Sequence, residues 1–245
     1  KDLHKGWQWI PTLYFAEGLP YFAVTAISVI LYKSMGLSNS DIALYTSWFY
    51  LPWVIKPFWS PIVDMFSTRR KWIVATQLIM GAALASIAFT IPLASYLQWT
   101  ICLFWLIAFS SATHDIAADG FYMLGLDQEG QSFFAGIRST FYRIATIFGQ
   151  GVLIYFAGKL ETLTGNVALS WSITFGILCV ILTFTGIYHS RMLPIPQSDT
   201  PRRIQSISEI FSGFKNIIFT FFKKPGIIPA LLVMLLFRLP GAHLV

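Results

Sequence analysis

Residues 98–124 read QWTICLFWLIAFSSATHDIAADGFYML. The run is longer than the roughly 20 mainly apolar residues that cross a bilayer core. Its only charged or imidazole side chains are His114, Asp115 and Asp119. Working outward, comparable runs occupy 9–32, 41–63 and 71–94 before it, and 133–158 and 168–190 after it. A seventh begins near 227 and is still running at Val245.

The sequence therefore predicts an all-α polytopic membrane protein. Residues 1–190 form a bundle of six transmembrane helices, 191–226 a linker, and 227–245 the truncated start of a seventh helix. A soluble end at Val245 is unexpected, so a longer protein with a second, C-terminal bundle is expected. The linker opens with Pro194, Pro196 and Pro201. It continues with Ile204, Ile207, Ile210, Phe211, Phe214, Ile217, Ile218, Phe221 and Phe222 at helical spacing. That is an amphipathic helix, lying on the membrane surface or packed on soluble parts of the same protein.

Composition agrees. Hydrophobic residues are 56% of the chain and charged residues 11%, against about 25% in soluble domains. Mean hydropathy is +0.64. The net charge of +6 does not indicate nucleic acid, because the basic residues sit in short loops between apolar runs. Lys1, Lys5, Arg69, Arg70, Lys71, Arg191, Arg202, Arg203, Lys215, Lys223 and Lys224 fall on one side, and only Lys33 and Lys159 on the other. The positive-inside rule then places the N-terminus in the cytoplasm. Cys102 and Cys179 lie inside apolar spans and read as small core residues.

A charge at the centre of a spanning helix costs about 2.5–3.5 kcal/mol on insertion scales, so each one asks for a role. The candidates are Glu17, Lys56, His114, Asp115, Asp119, Arg143 and Arg238, with Asp64 and Arg138 nearer the helix ends. The fourth and fifth spans form a hairpin turning near Gln128. Counting from that turn sets Asp119 level with Arg138, and Asp115 level with Arg143. Asp115 and Asp119, four apart, share one helix face. A carboxylate–guanidinium network between the two helices follows, either as a structural clamp or as a site for protons and solute. Burial favours the protonated form of a carboxyl, which a proton-coupled carrier needs. Glu17 stands beside Gly18-Leu19-Pro20, where Pro20 removes a helix hydrogen bond. It is either a coupling or substrate group at an opened helix, or the partner of Lys56 across a kink. Metal binding is disfavoured, since His114 and Asp115 diverge by about 100° on a helix. No cofactor is called for, and no catalytic constellation of a membrane enzyme is found.

One echo suggests internal repetition: Phe15-Ala16-Glu17-Gly18-Leu19-Pro20 in the first span, and Leu236-Phe237-Arg238-Leu239-Pro240-Gly241 in the seventh.

Two stretches carry a resemblance. Ser60 to Lys71, with Asp64 before Arg69-Arg70-Lys71, resembles the loop signature of the major facilitator superfamily, without its glycines. Leu51 to Asp64, Ser111 to Gly120, Tyr142-Arg143 and Gly149-Gln150-Gly151 look like the AmpG-type muropeptide permeases. The resemblance covers most of residues 10–160 and touches the related acetyl-CoA transporters. It implies the N-terminal half of a major facilitator fold in a bacterial inner membrane, with proton-coupled import of anhydro-muropeptides. The alternatives are a major facilitator carrier for another solute, such as a coenzyme A ester, a sugar or a drug, and a non-transporting membrane scaffold or sensor. The expected partners are a small solute, protons, the lipid bilayer and the C-terminal bundle. The proton candidates are Asp115, Asp119 and Glu17. The solute candidates are Glu17, Lys56, Tyr142, Arg143, Gln150 and Arg238, and the gating loop is Asp64, Arg69, Arg70 and Lys71.

Overall fold

Short polar side chains set where the helices start. Ser38, Thr68, Asp127 and Asn166 each accept a hydrogen bond from a backbone N–H three residues on, at 3.2, 3.2, 2.8 and 3.0 Å. Each satisfies a donor that a helix N-terminus leaves without an intrahelical partner. Gly36 (φ 87°) and Gly165 (φ 64°) turn the chain between neighbouring helices, in a conformation that side chains with a Cβ resist.

The structure, a computed structural model, describes residues 3–200 together with 219–220, 223, 225–229 and 232–233. Residues 1–201 make one unit and 202–245 another. In the first unit the described residues form six successive helical rods. The first runs over 3–34, with a π-helical turn at Ala23–Ile27, just past Pro20. The second, 39–66, is broken: a 3-10 turn at Ser47–Tyr50, a short helix Leu51–Val54, and then Lys56–Phe66. Pro52 and Pro57 each remove a backbone donor there, as the expected kink requires. The third is Arg69–Thr90 and the fourth Tyr96–Gly125. The fifth, 128–164, carries a π-helical turn at Phe148–Leu153, and the sixth is Val167–Met192.

Four of these rods, Lys5–Ser34, Arg69–Thr90, Tyr96–Gly125 and Val167–Met192, are long and apolar enough on their own to cross a membrane. The second lacks an unbroken helix of that length, and the fifth is diluted by Arg138, Arg143 and Gln150. The first helix is the most enclosed, with 67% of its apolar window buried against 33% for the sixth. It packs on the fourth, fifth and sixth, while the third is held between the fourth and sixth. Large apolar side chains such as Phe89, Val180 and Phe184 are exposed on the outer rods, as a lipid-facing surface requires. Serine and threonine hydroxyls inside the rods bond back to carbonyls four residues earlier, among them Thr25, Thr46, Thr113 and Thr174. That satisfies them without water.

The apolar core is divided. One cluster holds Trp9, Leu13, Ile73, Ala117, Phe121 and Phe134, toward the end of the bundle that carries Arg69–Lys71. The other holds Leu19, Met80, Leu84, Phe104, Ala145 and Leu178. Between them along each helix lie Glu17, Gln77, Ser111, His114, Asp115, Arg138, Tyr142 and His189. The first unit therefore has a polar layer across its middle.

In the second unit, Lys223 lies over the Phe219 ring at 4.3 Å, and Gly226 has φ 81°. Most of the expected amphipathic linker helix and of the seventh span, including Arg238, lies outside the described residues.

Candidate functional site

The polar layer is built around two ion pairs. The Lys56 ammonium, on the second helix, meets the Asp115 carboxylate on the fourth. Asp119, one turn along the fourth helix, accepts from Arg138 on the fifth at 3.1 Å. The two carboxylates share a face, as their four-residue spacing dictates, but reach to neighbours on opposite sides.

Arg138 is held on three sides. It donates to the Tyr14 hydroxyl at 3.1 Å, and its guanidinium lies 5.2 Å from the Tyr14 ring and 5.0 Å from the Tyr122 ring. Tyr122 is itself fixed, its hydroxyl donating to the Gln131 carbonyl. A planar cation between two aromatic faces is a job for arginine rather than lysine.

Glu17 lies between the pairs. It is 8% exposed, and its Oε2 has no hydrogen-bond partner among the described residues. Lys56, Arg138, Asp115 and Asp119 are all within electrostatic reach. Gly18, the next residue, is pressed against the fifth helix: a Cβ there would stand 2.8 Å from Ala145 Cβ. This close approach sets Glu17 beside Tyr142.

Two cavities meet at Glu17 and Tyr142. One, of about 330 Å³, also takes in Tyr14, Asp119, Arg138 and Arg143. The other, of about 180 Å³, takes in Tyr21, Trp53, Ser111 and Asp115. Tyr21 stands edge-on to Trp53 at 5.0 Å. A third cavity, of about 410 Å³, lies on the basic side of the layer, lined by Lys56, Ser60, Arg69, Asp119 and Gly120. The Arg69 guanidinium rests on Gly120, where a Cβ would displace it.

The expected pairing of Asp115 with Arg143 needs correction, and of the two readings of Glu17 the pairing with Lys56 is not the one found: among the described residues Asp115 holds Lys56, and Arg143 faces the 330 Å³ cavity without an ion pair. Arg138 and Arg143 are five residues apart, hence about 140° apart around the helix, so they cannot both face the fourth helix. Gln150 is exposed in the π-helical turn and lines none of the three cavities. Asp64 lies on the helix Lys56–Phe66, and its side chain, like Arg238, is outside the described residues.

In the loop of the basic cluster, Arg70 donates to the carbonyls of Ser190 and Leu193 at the end of the sixth helix. Asp199 accepts from the backbone N–H groups of Arg69 (2.8 Å) and Arg70 (3.1 Å), at the start of the third helix. Lys71 is exposed. Sequence reasoning missed Asp199, Tyr14, and the Gln77 and His189 side chains. The signal for Asp199 was present, a lone acidic residue just past Pro194 and Pro196.

Long apolar helices around a charged, cavity-bearing layer define a polytopic, integral membrane protein of the major facilitator type. The family is narrower: residues 16–239 match the BT1 family, and the chain belongs to it. The chain is 28% identical over 246 residues to the "Putative transporter AmpG 4" of Rickettsia conorii, covering 93% of this chain and 55% of that protein. It is 31% identical over 191 residues to the "Anhydromuropeptide permease" of Escherichia coli K12, covering 75% of this chain and 38% of that one. An uncharacterized protein of Haemophilus influenzae is 26% identical over 223 residues. The chain spans about half the length, or less, of these relatives.

Proposed function

We propose that the chain is the first half of a secondary active carrier that imports a cell-wall-derived anhydro-muropeptide with protons, by alternating access. Residues 1–190 would rock against a C-terminal bundle of the same full-length protein. The linker 191–226 would join the halves, and Arg238 would stand on the second. The N-terminus would lie in the cytoplasm and the bundle in a bacterial inner membrane. The solute class is drawn from the names of the Escherichia coli and Rickettsia relatives. Such a protein is a carrier, not an enzyme.

One observation carries the coupling reading. Glu17 is a carboxyl at the wall of two cavities, with a buried oxygen that no described residue satisfies. An unsatisfied buried acceptor is costly, and a proton turns it into a donor that a solute oxygen or Tyr142 can accept. Asp115 and Asp119 already hold cations. Glu17 would therefore take the proton first, and its neutralisation would loosen the balance of Lys56 and Arg138 against the two aspartates. The solute would meet Arg143 through a carboxylate and Tyr21, Trp53 and Tyr142 through its sugar faces.

The test is uptake of labelled anhydro-muropeptide by permease-deficient cells expressing the full-length protein. Uptake that collapses with the proton gradient supports the reading. No muropeptide uptake, with transport of another solute such as a coenzyme A ester, overturns the substrate. Uptake indifferent to the gradient overturns the coupling.

A further inference from the structure

The polar layer contains a second set of groups that neither the ion pairs nor the cavities use. Four side chains from four helices form one chain of hydrogen bonds. Thr12 Oγ1 lies 2.9 Å from His189 Nε2 on the sixth helix. His189 Nδ1 lies 2.9 Å from the Gln77 amide on the third, and the other end of that amide lies 2.9 Å from His114 Nε2 on the fourth. Gln77, His114 and His189 have no exposed surface at all. His114 Nδ1 has no partner among the described residues.

These heavy-atom positions fit two proton arrangements, related by a half-turn of the Gln77 amide. In the first, Thr12 donates to His189, His189 to Gln77, and Gln77 to His114. Both rings then carry hydrogen on Nδ1, and the His114 Nδ1–H is a buried donor with no acceptor. In the second, every bond is reversed: His114 Nε2–H donates to Gln77, Gln77 to His189, and His189 Nε2–H to Thr12. The Thr12 hydroxyl then donates to the Trp9 carbonyl, 3.2 Å away. Every ring N–H and the hydroxyl along the chain are then used, and what remains at His114 is an unfilled lone pair. Orphaned buried N–H groups are the rarer and costlier defect.

We infer that Gln77 is a positioning residue for the fourth helix, fixing the rotation that aims Asp115 at Lys56, and that the chain's protons run from His114 to Trp9. His114 directly precedes Asp115 and points about 100° round the helix from it, so an imidazole clamped by Gln77 fixes the rotation at which the carboxylate is presented. Both imidazoles are neutral Nε2–H tautomers. The chain also ties the first, third, fourth and sixth helices at one level, leaving the second and fifth, which bring Lys56 and Arg138, outside it. The positioning claim rests on the proposed coupling role of the layer, whereas the proton direction does not.

The experiment has two arms. Full-length protein in nanodiscs, labelled with ¹⁵N and ¹³C histidine and with every histidine except His114 and His189 replaced by Gln (His4 and His243 among them), is read by solid-state NMR. Two neutral Nε2–H rings are expected. Two Nδ1–H rings, or an imidazolium at neutral pH, overturn the proton direction. In the second arm, Gln77→Met matches the length without hydrogen bonds, and Gln77→Glu can accept from both rings. Met should lower the maximal rate of anhydro-muropeptide uptake roughly tenfold with the half-saturating concentration unchanged, and Glu should restore part of it. Wild-type rates in the Met variant overturn the positioning role. A wild-type protein that moves no muropeptide overturns the proposed function and leaves the tautomer result standing.

Discussion

Arg138 and Asp119 meet at 3.1 Å from opposite arms of the fourth–fifth hairpin. Their contact joins the half of the layer built on the first and fifth helices to the half built on the second and fourth. The hydroxyl and ring of Tyr14 bind the same guanidinium, so a change at either acid is felt by the helix that carries Glu17. Asp119 is half exposed to the cavities, so the pair is screened and contributes little to stability.

Arg138→Lys should separate charge from shape. Lysine keeps the cation but loses the fork and the two ring contacts. Thermal unfolding of the full-length protein should shift little, while the uptake rate falls. An unchanged rate would assign the Tyr14 and Tyr122 contacts to packing alone.

Lys56 and Asp115 should behave as a swap-tolerant pair. Each partner is less than one-third exposed, so removing one strands a charge. Lys56→Ala or Asp115→Ala should destabilise the protein by about 2–3 kcal/mol, below the 3–5 kcal/mol of a fully buried pair. The exchange Lys56→Asp with Asp115→Lys should recover most of that loss. Failure of the double variant to exceed both exchange singles, Lys56→Asp and Asp115→Lys, in thermal stability would show that the pair is not the relevant contact.

Glu17→Gln should leave the fold intact, because the amide keeps the shape and can donate where the carboxyl is unsatisfied. Accumulation of solute against a gradient should vanish, while exchange of labelled for unlabelled solute persists. Retained accumulation would assign the proton to Asp115 or Asp119.

How much of this was legible can be seen in particular residues. The helical rods follow from apolar run length, and the meeting of Asp119 with Arg138 follows from counting residues to Gln128, since helical rise is fixed. Counting failed for Arg143 because depth carries no azimuth: the residue is level with Asp115 yet turned toward the cavity. The Thr12–His189–Gln77–His114 chain was invisible for another reason. Its members lie on four separate helices, and no local spacing marks them. Only packing of the third helix between the fourth and sixth brings them together.

Glycines of the first and fifth helices should divide by what faces them. Gly18→Ala pushes a methyl into Ala145 and the Tyr142 carbonyl, where a helix backbone cannot yield. Overpacking of that kind costs about 1–3 kcal/mol. Gly158→Ala, in the fifth helix with nothing within 4 Å, should be neutral or stabilising by up to about 1 kcal/mol, from helix propensity. Melting temperatures of the two variants should move in opposite directions, and a shared direction would contradict the close approach of the first and fifth helices at Gly18.

Asp199 tests whether the basic loop has a structural role beyond its charge. Its carboxylate bonds the N–H groups of Arg69 and Arg70 at the start of the third helix, where the helix dipole favours an anion. Arg70 reaches the other way, to the last carbonyls of the sixth helix, where a cation is favoured. Together they pin residues 193–200 across the ends of two helices. Asp199→Asn keeps one acceptor oxygen and loses the charge, and Asp199→Ala loses both. Hydrogen exchange at Arg69 and Arg70 should therefore rise modestly in the first variant and strongly in the second, with the interior of the third helix unchanged. If the two variants exchange alike and like wild type, the strap is held by Arg70 alone. In that case Arg70→Gln, which removes the charge and the fork, should release residues 193–200 without altering the Arg69 and Arg70 amides.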